Sequence, residues 1–323
     1  MVKTDCVNAF TSGEKMQTVK SAQDLVTTRE DYKKGFLDIV VEKNVRMEPY
    51  VAETRSVQVD LKAIKLVDEL VKSQNLRIPL INAAGLSKKA IQNINMSQIE
   101  EEDIIKEFLD MAVRPAGDDF RNEVAIRYTL IKGDSFGGSI RNVIGSKAKL
   151  KLINAIIGKL LANEIKFRVL VRDKRKFFNY DVSSMRVAEV SALSWMNKDG
   201  KERILLFDKK SPIVGKNIDI ILLSAREDDI SAALSVADNY IACGELKGGI
   251  DPAGADEHFK TAMSAMERIR KSGGAKLLFI GSAIERAMAQ EIVDYMNTGK
   301  LYMAANLNKE EQLSEVGNWL AIA

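Results

Sequence analysis

Residues 244–262 read GELKGGIDPAGADEHFKTA. An apolar run precedes this stretch, so Glu245 and Lys247 are predicted to lie near the end of a β-strand. Side chains two positions apart on a strand point to the same face, which would place an acid beside a base. The glycine pair and the Asp-Pro that follow predict a turn. The acidic residues Asp256 and Glu257 then indicate the first turn of a helix.

Strands and helices alternate through the second half of the chain. Apolar runs bounded by turn residues predict strands, and apolar positions at helical spacing predict helices. The predicted strands are residues 167–171, 204–207, 218–223, 240–246 and 276–280, and the predicted helices are residues 255–271 and 283–296. This order indicates an α/β fold with a mixed central sheet flanked by helices.

The first part of the chain is predicted to be mainly helical. Apolar residues recur at helical spacing, Thr27 and Thr28 resemble a helix start, and Ser97 with Glu100 offers a capping box. The sequence Arg-Pro-Ala-Gly at residues 114–117 marks a candidate boundary. We therefore predict a mainly helical domain over residues 1–117 and a second domain over residues 118–323.

The composition excludes several classes of protein. A net charge of +3, from 48 basic and 45 acidic side chains, does not by itself indicate a nucleic-acid-binding protein. The two cysteines, Cys6 and Cys243, have no partner at ligand spacing, which excludes a disulfide framework or a cysteine zinc site. There is no apolar signal core near Met1 and no membrane-length apolar run, so we expect a cytoplasmic protein without a membrane span.

The glycine-rich sequence KGDSFGGSIRN at residues 132–142 is predicted to form a tight loop. Accessible backbone N–H groups, with Lys132 and Arg141 beside them, would suit phosphate contact. An ordinary turn before a helix at residues 139–161 is an equally good interpretation. The sequence is not a Walker loop, because no Gly-Lys-Ser/Thr ends it.

Asp219 lies within the apolar sequence IDIILL. A carboxylate on a buried strand face costs on the order of several kcal/mol unless a cation compensates its charge. Asp219 and Glu245 fall on neighbouring predicted strands, and two converging carboxylates suit Mg²⁺. The alternative is an aspartate at a strand end that faces solvent.

Lys247 and His258 are candidates for the chemistry of such a site. An ammonium beside a metal can hold an attacking water and offset the charge that develops on a phosphate, although an isolated Glu245–Lys247 pair would more commonly be a surface ion pair. His258 is the one histidine of the chain, and histidine is the side chain most often used as a general base in enzymes. It could act as a general base or could simply decorate the start of a helix.

The pattern of Asp219 followed by Glu245-Leu246-Lys247 resembles the PD-(D/E)xK nuclease core. The strings KGDSFGGSIRN, SPIVGKNIDI and GELKGGIDPAGADEHFKTA resemble the AvaI/BsoBI family of type II restriction endonucleases. The resemblance extends more weakly over nearly the whole chain. It implies a restriction-endonuclease-like core, a helical domain that embraces DNA, and a homodimer. Such a dimer would cleave both strands of double-stranded DNA with Mg²⁺ at the palindrome CYCGRG.

The resemblance also implies roles for single residues. Asp219, Glu245 and Lys247 match the catalytic acid, acid and lysine, and His258 matches a histidine that helps to activate water. The implied metal ligands are the carboxylates of Asp219 and Glu245 and the backbone carbonyl of Leu246. The implied DNA contacts are Lys89 (or its neighbour Lys88), Lys216 and Asp251, with Lys216 and Asp251 reading base edges. The glycine-rich sequence adds four further expected DNA contacts, namely Lys132, Asp134, Ser135 and Arg141.

This chain departs from the family pattern in three places. Phe259 stands where the family has tryptophan, the segment between Asp219 and Glu245 differs in length, and residues 57–77 align poorly. These departures leave the DNA sequence more open than the chemistry. Two alternatives remain, namely a nuclease of repair or recombination that reads DNA structure, and a DNA-binding protein without activity. The second is disfavoured because Asp219, Glu245 and Lys247 are all present.

Overall fold

The computed structural model describes residues 16–172, 174–181 and 187–323, with the backbone alone at residues 88 and 89. The chain forms two compact units. One combines the segment up to Gly35 with Ile144–Ala323, and the other is Phe36–Val143. The packing units are therefore bounded near residues 35 and 143, and the predicted domain division at residue 117 stays a prediction.

The unit of residues 36–143 is built from helices, and the helical character predicted for the first part of the chain is confirmed. The helices of the first part of the chain are α1 (Ala22–Leu25), α2 (Arg29–Ala63), α3 (Val67–Lys72), α4 (Arg77–Ala83), α5 (Lys88–Asn93) and α6 (Gln98–Phe108). The capping box of α6 is confirmed, because the backbone N–H of Ser97 donates to Glu100 Oε2 at 2.7 Å. Leu70, Leu80 and Ile105 belong to one apolar core of this unit.

The predicted glycine-rich loop at residues 132–142 is wrong. These residues lie inside α7 (Phe120–Ala162), a single helix of 43 residues. Each helical glycine costs up to about 1 kcal/mol relative to alanine, but Phe136 and Ile140 are buried one turn apart. The ring of Phe136 packs 5.2 Å from that of Tyr50. Burial therefore overrides the local preference, and backbone N–H groups within the helix bond to its own carbonyls instead of forming an anion cradle.

A mixed sheet forms the core of the other unit, as predicted. Its strands are β1 (Phe167–Val171), β2 (Phe178–Asn179), β3 (Val190–Met196), β4 (Glu202–Ser211), β5 (Lys216–Leu223), β6 (Tyr240–Lys247), β7 (Lys276–Gly281) and β8 (Met303–Asn306). Their order is β2-β1-β3-β4-β5-β6-β7-β8. Neighbours from β2 to β6 are antiparallel, whereas β6, β7 and β8 run parallel. The strands β2, β3 and β8 were not predicted.

Helices connect the parallel strands. The remaining helices are α8 (Ile230–Ala233), α9 (Ala255–Gly273), α10 (Arg286–Asn297) and α11 (Glu310–Ile322). Because parallel neighbours need a crossover, α9 joins β6 to β7 and α10 joins β7 to β8. The predicted apolar side of α9 is buried, and the ring of Phe259 packs 4.9 Å from that of Phe279 on β7. In the part of the chain that the structure describes, no helix has the length and apolarity to cross a membrane.

Thr27 joins the N-terminal segment of the sheet-containing unit to residues near the ends of β7 and β8 through hydrogen bonds. Its buried hydroxyl donates to the carbonyl of Ser282 at 2.8 Å and accepts from the backbone N–H of Ile284 at 2.9 Å. The side-chain amide of Asn306 also donates to this hydroxyl at 2.9 Å. The N–H of Ser282 in turn donates to the carbonyl of Lys247 at 2.9 Å. A short N-terminal segment is thereby fixed beside the end of β6.

Candidate active site

Asp219 lies where the β5–β6 ladder opens. The last paired residues before this end are Ile220 on β5 and Gly244 on β6. One step further, the backbone N–H of Leu246 donates to Asp219 Oδ2 at 2.9 Å, so a side-chain oxygen takes the place of a main-chain acceptor. The carboxylate of Asp219 is thereby held against the end of the strand that carries Glu245 and Lys247.

The environment of Asp219 disfavours its negative charge. Burial raises the pKa of its carboxyl group to about 6, and the charge of Glu245 acts in the same direction. The N–H of Leu246 and the charge of Lys247 lower this pKa and offset only part of the effect, while Asp208 adds a further increase. Asp219 is not the solvent-facing aspartate of the alternative interpretation, because its side chain is half-buried. A cation would compensate its charge.

Glu245 and Lys247 point to the same face of β6, as their spacing predicts. Lys247 Nζ forms an ion pair with Glu245 Oε1. The Glu245 side chain is only 12% exposed, and that of Lys247 is 37% exposed. The pair therefore differs from a fully solvated surface ion pair, and the main chain of Lys247 is fixed by its bond from Ser282.

The residues at this strand end fit a hard cation. Among the described residues, no group of three or more His, Cys, Asp or Glu side chains is arranged to hold a metal. A cation here would therefore use the carboxylates of Asp219 and Glu245 with main-chain oxygen and water, a ligand set that suits Mg²⁺. The N–H and C=O of one strand residue point to the same side. The carbonyl of Leu246 thus faces the side on which Asp219 lies.

Glycine at position 248 lets a helix approach the strand end. A Cβ at Gly248 would lie 2.5 Å from Ala148 Cβ and 3.0 Å from the carbonyl oxygen of Ile144, both on α7. Only a residue without a side chain fits this approach without a shift. By contrast, a Cβ at Gly249 would meet nothing within 4 Å. The helix α7 therefore forms a wall beside the Glu245–Lys247 pair.

His258 and Asp251 lie beyond this turn. His258 is exposed in the first turn of α9, where its backbone N–H donates to the carbonyl of Gly254 at 3.0 Å. Within the described ranges, no hydrogen bond or ion pair joins the His258 side chain to Asp219, Glu245 or Lys247. Asp251 is also exposed, and its Oδ1 accepts from the backbone N–H of Ala253 at 3.0 Å.

The predicted DNA-contacting residues are spread over several elements. Lys216 is exposed at the start of β5. Asp134, Ser135 and Arg141 are exposed along α7, in a helix instead of the expected loop. Lys132, in the unit of residues 36–143, binds Glu53 Oε1 at 2.9 Å. The side chain of Lys89 lies outside the described residues, as does that of Lys88.

Asp208 is a neighbour of the site that the sequence did not reveal. Asp208 lies on β4 and has a positive φ of 52°. Its Oδ2 forms an ion pair with Lys149 Nζ at a distance of 2.7 Å. Its charge raises the pKa of Asp219. The one signal in the sequence is an aspartate directly after the apolar run of β4. The closeness of Asp208 to Asp219 depends on the register of β4 and β5, which cannot be read from the sequence.

Comparison with known proteins assigns the chain to a family. The model of the family described as Restriction endonuclease BsobI matches residues 15–322. The chain belongs to this family. The match covers residues of both packing units, and it confirms the resemblance predicted from the three motif strings.

Curated relatives in the BsobI restriction endonuclease family match the chain over nearly its full length. The type II restriction enzyme BsoBI of Geobacillus stearothermophilus is 37% identical over 314 residues, which is 94% of this chain and 96% of the relative. The type II restriction enzymes AvaI of Nostoc sp. and of Anabaena variabilis are each 36% identical over 308 residues, which is 93% of this chain and 97% of the relative.

Proposed function

We propose that this member of the BsobI family is a type II restriction endonuclease that hydrolyses phosphodiester bonds in both strands of double-stranded DNA. The observation that carries the proposal is the hydrogen bond from the Leu246 N–H to Asp219 Oδ2. It holds one acid beside the strand end that presents Glu245 and Lys247, the arrangement expected of a PD-(D/E)xK site.

In this proposal, Asp219, Glu245 and the carbonyl of Leu246 hold Mg²⁺. When bound, the ion polarises a phosphate oxygen and lowers the pKa of a bound water. The ammonium of Lys247, oriented by its ion pair with Glu245, holds the attacking water and offsets the charge that develops on the phosphate. His258 assists removal of the proton from that water.

Recognition is proposed to use a homodimer on the palindrome CYCGRG. A two-fold symmetric site on DNA matches a protein dimer that applies the same contacts to each half-site. Asp251 can accept from a cytosine amino group, and Lys216 can donate to the N7 atom that A and G share, which would permit the degenerate step. Lys89, Lys132, Asp134, Ser135 and Arg141 are proposed to contact DNA elsewhere.

The domain roles follow the same proposal. A mainly helical domain over residues 1–117 would embrace the duplex, and a catalytic domain over residues 118–323 would cut it. We place the enzyme in the cytoplasm, where its DNA substrate is found.

The deciding experiment is digestion of a plasmid by the purified protein with Mg²⁺, followed by run-off sequencing of the products. Discrete fragments that end within CYCGRG are expected. Cleavage at branched or nicked structures without a sequence preference would favour a nuclease of repair or recombination. Specific binding without cleavage under any divalent cation would favour a DNA-binding protein without activity.

A further inference from the structure

Asp208 lies opposite Asp219 across the β4–β5 hairpin. On either side of it, Phe207 pairs with Ile220 and Lys209 pairs with Ile218. The position between these two pairs brings Asp208 on β4 to face Asp219 on β5. The two aspartates therefore occupy adjacent strands at the end of the sheet where Glu245 also lies.

The backbone at Asp208 is held in an unusual conformation. Its φ of 52° lies in the left-handed region, which costs a non-glycine residue free energy and which aspartate tolerates better than most. Glycine would occupy this conformation more readily. Aspartate therefore occupies this position at a cost in free energy, which favours a role for its carboxylate.

The carboxylate of Asp208 forms an ion pair with Lys149, a residue of the helix α7 that lines one side of the site. Lys149 Nζ lies 2.7 Å from Asp208 Oδ2 and 5.8 Å from the centroid of the Phe207 ring. The Lys149 side chain is only 14% exposed. Its neighbour on α7, Ala148, packs directly against Gly248. Both charges are therefore fixed to elements that bound the Asp219–Glu245 site.

We infer that Asp208 and Lys149 form an opposed pair of charges that sets the affinity of the Asp219–Glu245 site for a divalent cation. This inference rests on the proposed function. Asp208 is a positioning residue and not a ligand. Its negative charge acts across the hairpin in favour of a cation, while the ammonium of Lys149 restrains that effect. The cation affinity of the native protein should therefore lie between that of a variant without the Asp208 charge and that of a variant without the Lys149 charge.

The inference predicts opposite changes from the two partners. Asp208→Asn should weaken binding of Mn²⁺ about twofold to fivefold, the scale of a partly exposed and screened charge. Lys149→Met should strengthen binding by a similar factor, and the double variant should return near the native value. Free Mn²⁺, measured by electron paramagnetic resonance in solutions of the full-length protein without DNA, reports affinity independently of cleavage.

A glycine variant separates the charge of Asp208 from its backbone. Asp208→Gly removes the carboxylate and relieves the left-handed conformation, so it should weaken Mn²⁺ binding as Asp208→Asn does. It should unfold at a higher temperature than Asp208→Asn, because both variants lose the ion pair with Lys149 and only glycine relieves the backbone. Asp228→Asn is the matched control, since Asp228 is exposed in the connection at the opposite ends of β5 and β6. It should leave Mn²⁺ affinity unchanged.

The outcomes distinguish this inference from the proposed function. Asp219→Ala should abolish the Mn²⁺ binding seen in the native protein. If Asp219→Ala abolishes Mn²⁺ binding but both Asp208 variants bind Mn²⁺ with native affinity, the charge pair has no role in metal binding and Asp208 is only a turn residue. If Asp219→Ala binds Mn²⁺ as the native protein does, the metal site of the proposed function is itself wrong, and this inference falls with it.

Discussion

Oδ2 of Asp219 lies 2.9 Å from the backbone nitrogen of Leu246, and this one bond joins the two halves of the candidate site. Asp219 comes from β5, and Leu246 stands between Glu245 and Lys247 on β6. The bond fixes a partly uncompensated carboxylate at the point where the strands separate, where a cation can reach it.

The first prediction concerns the metal ligands. Asp219→Ala and Glu245→Ala should each abolish cleavage, because each removes a carboxylate that holds Mg²⁺, while specific DNA binding measured in Ca²⁺ should persist. The exposed Asp228→Ala serves as a control and should cleave normally. Near-native cleavage by Asp219→Ala would mean that the site has been assigned to the wrong residues.

The second prediction concerns pH and stability without metal. The pKa of Asp219 rises from an ordinary value of 3.8 to about 6 on folding, so the folded protein loses stability as pH rises through this window. Asp219→Asn cannot ionise, and its side-chain oxygen can still accept the Leu246 N–H. The variant should therefore be more stable than the native protein by about 1–3 kcal/mol near pH 8.

This gain should shrink as pH falls below about 6 and vanish below about 4, where the native carboxyl is protonated in both states. Thermal unfolding of both proteins in EDTA over this pH range tests the expectation. An equal gain at both ends of the range would show that the effect has no connection with ionisation.

The third prediction concerns His258. If it assists proton removal from the attacking water, His258→Ala should slow cleavage by about 10²–10⁴-fold. Single-turnover measurements at saturating enzyme separate this effect from weakened DNA binding. Because His258 is exposed in the first turn of α9, its replacement should leave stability almost unchanged. An unaltered cleavage rate would show that His258 has no part in the chemistry and is only an exposed residue of the helix.

The fourth prediction concerns base reading by Asp251. Asp251→Ala should lose about 1–3 kcal/mol of discrimination at a C·G pair in each half-site. Asp251→Asn is the informative companion, because its oxygen can still accept the Ala253 N–H that Asp251 Oδ1 binds at 3.0 Å.

Competition binding against every single substitution in a CYCGRG duplex provides the measurement. If Asp251→Asn keeps the native profile while Asp251→Ala loses it, the turn bond and not a base contact is what matters. Altered discrimination in both variants supports base reading.

The fifth prediction concerns the wall of the site. Gly248→Ala places a Cβ 2.5 Å from that of Ala148, so it should destabilise the fold by about 1–3 kcal/mol through overpacking. Gly249→Ala is the matched control, since its Cβ would meet nothing within 4 Å. Chemical denaturation of the two variants should give clearly different midpoints, and equal midpoints would contradict the close approach of α7.

Local sequence was sufficient to predict the pair of strands that carries the site. Glu245 and Lys247 are two positions apart at the end of an apolar run, so their shared face follows from strand geometry alone. The buried face of α9 likewise follows from its helical spacing, and Phe259 lies on it as expected. These features depend on neighbours in sequence, which a periodic pattern records.

Features set by distant contacts were not predictable. The glycines of residues 133–138 favour a turn locally, yet the burial of Phe136 in α7 decides in favour of a helix. The strand β8 is rich in alanine, which has a low strand propensity, and it is stabilised by complete burial. Asp208 meets Asp219 only through the register of β4 and β5, and that register exists only in the folded hairpin.

The hydroxyl of Thr27 is bonded to a carbonyl 255 positions further along the chain. During synthesis, chains grow at about 5–20 residues per second, and domains generally fold as units. The strands β5 and β6 therefore leave the ribosome well before β7, β8 and the amide of Asn306 that holds Thr27 in place. A nascent chain at that stage already contains Asp219, Glu245 and Lys247, but the segment around Thr27 cannot yet be fixed beside the end of β6. The sheet-containing unit consequently acquires its complete set of Thr27 hydrogen bonds only after residue 306 has been synthesised.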